Sequence, residues 1–178
     1  QKKKYYGIRD PEKLLEDINN NLAPKDKERK EKGEVFTPIK IVEDMLNELP
    51  PDVWTNEHLK WLDPAVGIGN FPVIVYIKLM EGLEQWQPDE EKRRKHILEK
   101  MLYMVEVSEK SIFILNKVFC GIDGDGQYKL NIFHGSFVEG SNYADINKPD
   151  PVYNPNFGFD IIMGNPPYNQ GGVGKGGG

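Results

Sequence analysis

Cysteine is almost absent: the 178-residue chain has one, Cys120. A single thiol excludes an internal disulfide framework and suits a reducing compartment. Long apolar runs are missing too. None reaches the length of a bilayer span and the start shows no signal-peptide pattern, so the expected location is cytoplasmic, with no membrane partner. Histidine is scarce, and His58, His96 and His134 form no ligand cluster with Cys120, which argues against a zinc site. An excess of basic charge is also lacking. The net charge of −5 argues against a stand-alone, high-affinity nucleic-acid binder, because phosphate contacts need Lys and Arg.

What is present is an ordinary core and much solvated surface, at 38% apolar and 29% charged residues. That bounds the chain to one domain or part of a larger one. The basic opening, Gln1 to Gly7, reads as a solvated terminus rather than a basic arm touching nucleic acid, because charge runs are usually solvated faces. Asp10 to Asn21 reads as a short helix, with Asp10 as N-cap and Pro11 at its first position. Ala23 to Glu34 has no apolar face and reads as a linker. The expected organisation is an N-terminal helix and charged linker over 1–34 and a catalytic domain over 35–178. The chain starts at Gln1 and stops in GGVGKGGG, so a longer parent protein is expected.

From Thr37 onward the pattern is regular. Thr37 as N-cap and Pro38 in the first turn open a helix whose stripe is Ile39, Val42, Met45, Leu46 and Leu49. Leu59–Asp63, Leu102–Val107, Tyr128–Gly135 and Phe159–Met163 read as strands. Helices are expected at Asn70–Leu83 (largely buried), Pro88–Met101 (exposed) and Ser108–Phe119. Strands alternating with helices predict an α/β fold with a mostly parallel, doubly wound sheet. Such sheets bind ligands at the carboxyl ends of their strands.

The chemistry-bearing residues follow strands. In LDPAVGIGNF, Gly67 and Gly69 let a ligand approach the backbone. A nicotinamide fingerprint would need a third glycine, where this chain has Pro72. Asp63 at the strand tip disfavours a pyrophosphate and favours a cationic ligand such as S-adenosylmethionine. Glu106, ending the second strand, is placed to accept both ribose hydroxyls of an adenosine. The fourth strand ends in Asn165-Pro166-Pro167-Tyr168, a rigid turn with no N–H groups at the prolines. Asn165 offers a side-chain carbonyl, Pro166 a backbone carbonyl and Tyr168 a stacking ring. Two acceptors aimed at one point suit a planar amino group and make its nitrogen a better nucleophile.

Together these stretches resemble the N6-adenine DNA methyltransferases in gamma-class motif order. GEVFTP (Gly33–Pro38) is similar to the family's N-terminal cofactor motif, DPAVGIGNF to its glycine motif, and VEVSEKS to its ribose-binding acid motif. HGSF falls where the family has G-D-F, and NPPY matches the catalytic motif. Val66 and Ile68 replace the usual Cys and Ser, and Ser136 the usual Asp.

The resemblance implies a Rossmann-like class I methyltransferase fold of which the first four strands are present, with further strands and a target recognition domain downstream. It implies S-adenosyl-L-methionine as cofactor, bound by Phe36, Thr37, Pro38, Asp63, Pro64, Ala65, Gly67, Gly69, Asn70, Phe71, Glu106, Ser136 and Phe137. It implies catalysis by Asn165, Pro166, Pro167 and Tyr168 on an adenine flipped out of double-stranded DNA, with no metal required. DNA would be gripped mainly by the downstream domain, in a restriction-modification setting. Thr37 would help hold the methionine carboxylate at a helix N-terminus.

Related enzymes use the same NPPY chemistry on protein glutamine or RNA amino groups, and a cofactor-binding subunit without turnover is a third possibility. GEVFTP favours the DNA class. The sequence DGDGQ at Asp123 lacks the glycine and closing glutamate of a calcium loop, with Tyr128 and His134 in their places. GGVGKGGG lacks the spacing and hydroxyl of a phosphate loop. Trp54 and Trp61 read as core anchors.

Overall fold

A parallel four-stranded sheet in the order β3-β2-β1-β4 carries the molecule. The structure is a computed structural model, and it describes residues 37–120, 127–135 and 158–165. The expected helix at 10–21, the linker at 23–34, the DGDG turn, Ser136, Phe137, Phe36 and Pro166–Tyr168 lie outside the described residues.

In chain order the elements are α1 (Ile39–Asn47), a 3-10 turn (Pro51–Trp54), β1 (Trp61–Asp63), α2 (Asn70–Gly82), α3 (Glu90–His96), a π-helical turn (Ile97–Met101), β2 (Leu102–Glu106), α4 (Glu109–Cys120), β3 (Asn131–His134) and β4 (Ile161–Ile162). The register pairs Trp61 with Leu102 and Ile161, Asp63 with Met104, and Glu106 with His134. Parallel pairing follows from the crossover helices between strands. It also places the C-terminal tips of β1, β2 and β4 along one edge.

Alternation along the strands splits the core. Trp61, Leu102 and Met104 face the larger cluster with Val42, Leu46, Val75, Leu79, Leu115 and Phe119. Leu62, Tyr103 and Val105 face the opposite side, against Phe133 and Phe159. β1 and β2 are buried along their whole length, hence their almost continuous apolar sequence. Trp61 is fully buried and stacks on Trp54 with ring centroids 4.9 Å apart. Both tryptophans therefore serve the core side of the fold, as their sequence context suggests.

Four local expectations are corrected. The first helix starts one residue later than expected: Pro38, at φ −56° and ψ 142°, is its N-cap, without a side-chain cap. The extended ψ keeps Pro38 out of the helix, and the Thr37 hydroxyl is engaged elsewhere. On that helix Val42 and Leu46 are buried while Met45 stays 48% exposed. At 100° per residue Met45 falls off the 42–46 face that meets α2.

Pro88–Met101 is not one exposed helix. Asp89 caps a seven-residue α-helix by accepting from the Lys92 N–H, and a π-helical turn follows. The extra residue per turn brings Ile97, Leu98 and Met101 into the core, and Arg93 and Arg94 are buried as well. The paired part of β4 is only Ile161–Ile162, yet Met163 N–H still donates to Leu62 O at 2.9 Å. Ile162 is 63% exposed on this edge strand.

Candidate active site at the strand tips

The turn after β1 is built by two glycines in left-handed backbone, Gly67 at φ +57° and Gly69 at φ +98°. A side chain in that region is strained, which is why glycine stands there. The two differ in their surroundings. A Cβ on Gly67 would have no heavy atom within 4 Å, whereas one on Gly69 would lie 2.7 Å from Leu115 Cδ2. Gly69 thus serves the packing of α2 against α4, while Gly67 leaves a space beside the backbone. Phe71, Pro72 and Asn70 are buried directly behind the turn.

Two acids flank that space. Asp63 is 1% exposed. Its Oδ1 accepts from the Ala65 N–H at 3.1 Å, and its Oδ2 is buried with no hydrogen-bond partner among the described residues. Burial pushes its pKa up to about 7; the Ala65 N–H opposes this, and the negative charge of Glu106 adds to it. Glu106, 9% exposed, anchors the turn: its Oε2 accepts from Gly67 N–H and its Oε1 from Ser108 N–H, both at 2.8 Å. A carboxylate oxygen has two lone pairs, so these bonds are compatible with a ribose hydroxyl on each oxygen.

β4 brings the third side of the site. A Cβ on Gly164 would lie 2.7 Å from Asp63 Oδ1, so the chain leaving β4 passes directly over the β1 tip. Next in sequence, Asn165 is half-buried and its Nδ2 donates to Thr37 Oγ1 at 3.1 Å. Thr37 is held a second time, its carbonyl accepting from Asn70 Nδ2 at 2.8 Å. Asn70 is buried, and its own Oδ1 has no partner among the described residues.

Of the residues expected from sequence, Thr37, Pro38, Asp63, Pro64, Ala65, Gly67, Gly69, Asn70, Phe71, Glu106 and Asn165 are described, and they fall at this one edge of the sheet. Gly164 was missed. Its signal was available, a glycine between an apolar strand and a proline-rich turn, but its reason is three-dimensional: the Asp63 carboxylate lies where a side chain would be.

The residues fit a cofactor carrying a cationic amine and a nucleoside. An orphaned buried carboxylate oxygen offers an acceptor, Gly67 leaves open space, and an acid ends the neighbouring strand. A parallel sheet whose β1 tip carries an acid and a glycine turn defines a Rossmann-like α/β fold with a ligand site at the strand tips.

The chain belongs to the N-6 DNA Methylase family, whose model matches residues 13–174. It is 24% identical to an uncharacterised adenine-specific methylase of Mycoplasma pneumoniae, a match covering 88% of this chain and 48% of that protein. The chain thus spans about half the length of the curated relative it matches. Among solved structures it is similar to the ATP-dependent Type ISP restriction-modification enzyme LlaBIII bound to DNA, with a TM-score of 0.56 at 21% identity, covering 91% of this chain and 12% of that one. It is also similar to the DrdV–DNA complex seen by cryo-electron microscopy, with a TM-score of 0.53 at 20% identity, covering 90% of this chain and 16% of that one. Both likenesses bear on the fold.

Proposed function

We propose that this chain carries the catalytic half-site of a DNA methyltransferase that transfers a methyl group from S-adenosyl-L-methionine to N6 of adenine. The observation that carries the reading is the meeting of three strand tips. Asp63 ends β1, Glu106 ends β2 and holds the Gly67 N–H, and Asn165 follows β4 across Gly164, which passes over Asp63. Membership of the N-6 DNA Methylase family supports the same reading.

When bound, the cofactor supplies an electrophilic methyl group. Asp63 would receive its ammonium end, since a buried acceptor without a partner gains most from a cation. Glu106 would take the ribose hydroxyls while still holding the glycine turn. Gly67, Gly69, Pro64, Ala65 and Phe71 would form the floor, and Thr37 and Pro38 the side wall. Phe36, Ser136 and Phe137 complete the proposed cofactor set.

On the substrate side, Asn165 Oδ1 and the Pro166 carbonyl would each accept one hydrogen of the target amine. That draws the nitrogen lone pair out of conjugation with the ring and toward the methyl carbon. Pro167 stiffens the turn and Tyr168 would stack on the flipped adenine. Much of the acceleration would come from aligning two bound reactants. Double-stranded DNA is the proposed partner, and a downstream recognition domain would supply much of the grip on it.

The test uses the full-length protein with methyl-labelled S-adenosylmethionine, offered separately unmethylated DNA, RNA and a protein extract. Label recovered as N6-methyladenine in DNA, and lost in Asn165→Ala, is the expected result. Label in RNA or in protein glutamine would overturn the substrate assignment. Cofactor binding without transfer to any of the three would overturn the enzymatic reading.

A further inference from the structure

We propose that Thr37 is a positioning residue that sets the orientation of the Asn165 side-chain amide, so that its oxygen rather than its nitrogen meets the target amine. This inference rests on the reading that Asn165 receives that amine.

An asparagine amide has an acceptor end and a donor end of nearly equal size. Facing an amino group, the donor end is repelled and the acceptor end is bound. A rotation of the amide by half a turn therefore separates a competent site from an incompetent one. The prolines that follow Asn165 can fix the backbone of the turn, but they do not distinguish the two ends of the amide. A separate contact has to do so.

The structure supplies one. Asn165 Nδ2 donates to Thr37 Oγ1 at 3.1 Å, across 128 residues of sequence. With the nitrogen committed there, the oxygen is directed away from Thr37. The hydroxyl's position is itself constrained. Thr37 sits one residue before the N-cap Pro38, whose φ of −56° is fixed by its ring. The Thr37 carbonyl is gripped by Asn70 Nδ2 at 2.8 Å. Asn70 is the first residue of α2, buried beside the glycine turn. The contact thus runs from the glycine turn through Asn70 and Thr37 to Asn165, three elements distant in sequence.

A threonine hydroxyl can also donate, so it enforces one amide orientation only when its own proton is used elsewhere. An anionic group beside Thr37 would accept that proton and leave only lone pairs facing Asn165. If that anion is the carboxylate of the bound amino-acid cofactor, occupation of the cofactor site presets the acceptor for the target amine.

The test compares Thr37→Val, which keeps the shape and loses the hydroxyl, with Thr37→Ser, which keeps the hydroxyl. With the full-length protein, unmethylated DNA and saturating cofactor, Thr37→Val is expected to lower kcat about 20-fold, as losing one oriented hydrogen bond in the transition state implies. Thr37→Ser is expected to restore kcat to within about threefold of the parent. In an Asn165→Asp background, where the two side-chain oxygens are equivalent and no orientation is left to set, Thr37→Val should cost no more than about threefold.

A readout independent of turnover is the side-chain amide of Asn165 in selectively 15N-asparagine-labelled protein, assigned by its disappearance in Asn165→Ala. Thr37→Val should shift that amide and Thr37→Ser should not. An unchanged kcat and an unchanged amide signal in Thr37→Val would overturn the inference while leaving the methyltransferase reading intact. Absence of DNA methylation by the parent protein would instead overturn the reading on which it rests.

Discussion

The backbone N–H of Gly67 donates to Glu106 Oε2 at 2.8 Å, tying the turn after β1 to the tip of β2. The other oxygen of the same carboxylate holds Ser108 N–H, at the entry to α4. One side chain therefore fixes the glycine turn and the start of the next helix together. Glu106→Gln replaces one acceptor oxygen by a donor, which must then face one of those two N–H groups. The expected loss of stability is about 1–2 kcal/mol, from one buried N–H without a partner. Affinity for S-adenosylhomocysteine should fall at least about tenfold, since the turn and the ribose acceptor slacken together. Urea unfolding and titration calorimetry on the same variant check both. An unchanged affinity would remove Glu106 from the cofactor site.

Gly67 and Gly69 share a left-handed backbone but should fail differently. Alanine at Gly69 places its Cβ 2.7 Å from Leu115 Cδ2, inside the packed core. Overpacking together with backbone strain is expected to destabilise the protein by about 2–4 kcal/mol. Alanine at Gly67 meets no heavy atom within 4 Å, so only the backbone strain of about 1 kcal/mol applies. The added methyl then projects into the space proposed for the cofactor. Gly67→Ala should melt within a few degrees of the parent and lose cofactor binding. A Gly67→Ala variant that binds cofactor normally would place the ligand elsewhere.

Asp63 predicts a pH dependence with a definite sign. Its folded pKa of about 7 lies above the ordinary value of 3.8, mainly through burial. The folded protein therefore keeps a proton that the unfolded chain releases across that interval. The contribution of Asp63 to the stability of the ligand-free protein falls as pH rises from about 4 to about 7 and levels off above, by on the order of 4 kcal/mol. Asp63→Asn, which cannot ionise, should lack this component and be the more stable form above neutrality. A cationic ligand reverses the trend, because it binds the ionised carboxylate: affinity for S-adenosylhomocysteine should increase as pH climbs through neutrality. Urea midpoints of parent and variant at acidic and mildly alkaline pH decide it. Parallel curves for the two proteins would refute the assignment.

The strands and the residues at their tips are legible because each rests on a short-range signal. Buried parallel strands read as apolar runs, and acids, glycines and Asn165 sit where those runs end. The second strand reads to within one residue of its observed end, because Leu102 to Glu106 is buried on both faces. The fourth reads too long, since Phe159 and Met163 flank a paired segment of only two residues.

Less legible were features decided by partners far along the chain. Thr37 looks like an N-cap from its neighbours, but its hydroxyl meets Asn165, 128 residues later. The stretch Pro88 to Met101 looks exposed because it is highly charged, yet Arg93 and Arg94 are buried. No local pattern tells a buried arginine from a solvated one; the difference lies in Tyr76 and in the two glutamates that enclose it.

That enclosure yields the last prediction. Arg94 Nε donates to Tyr76 Oη at 3.0 Å, Nη1 to Glu91 at 2.9 Å and Nη2 to Glu90 at 2.5 Å. Tyr128 Oη also donates to Glu91, so β3's approach is tied to the same group. The glutamates are exposed, and their ion pairs alone contribute little. The Arg94 side chain, however, is 8% exposed, and its bond to Tyr76 ties α3 to α2. Arg94→Ala should therefore cost about 3 kcal/mol, through lost packing and a stranded Tyr76 hydroxyl. Tyr76→Phe alone should cost about 1 kcal/mol, and the double variant should fall short of the sum by about 1 kcal/mol, because both changes delete the same hydrogen bond. Because this cluster lies on α3 and the middle of α2, away from the strand tips, cofactor affinity should stay within about twofold of the parent in all three variants. Urea midpoints at constant slope supply the cycle. Strict additivity would mean that the hydroxyl and the guanidinium act independently, and a selective loss of affinity would mean that α2 transmits strain to the glycine turn.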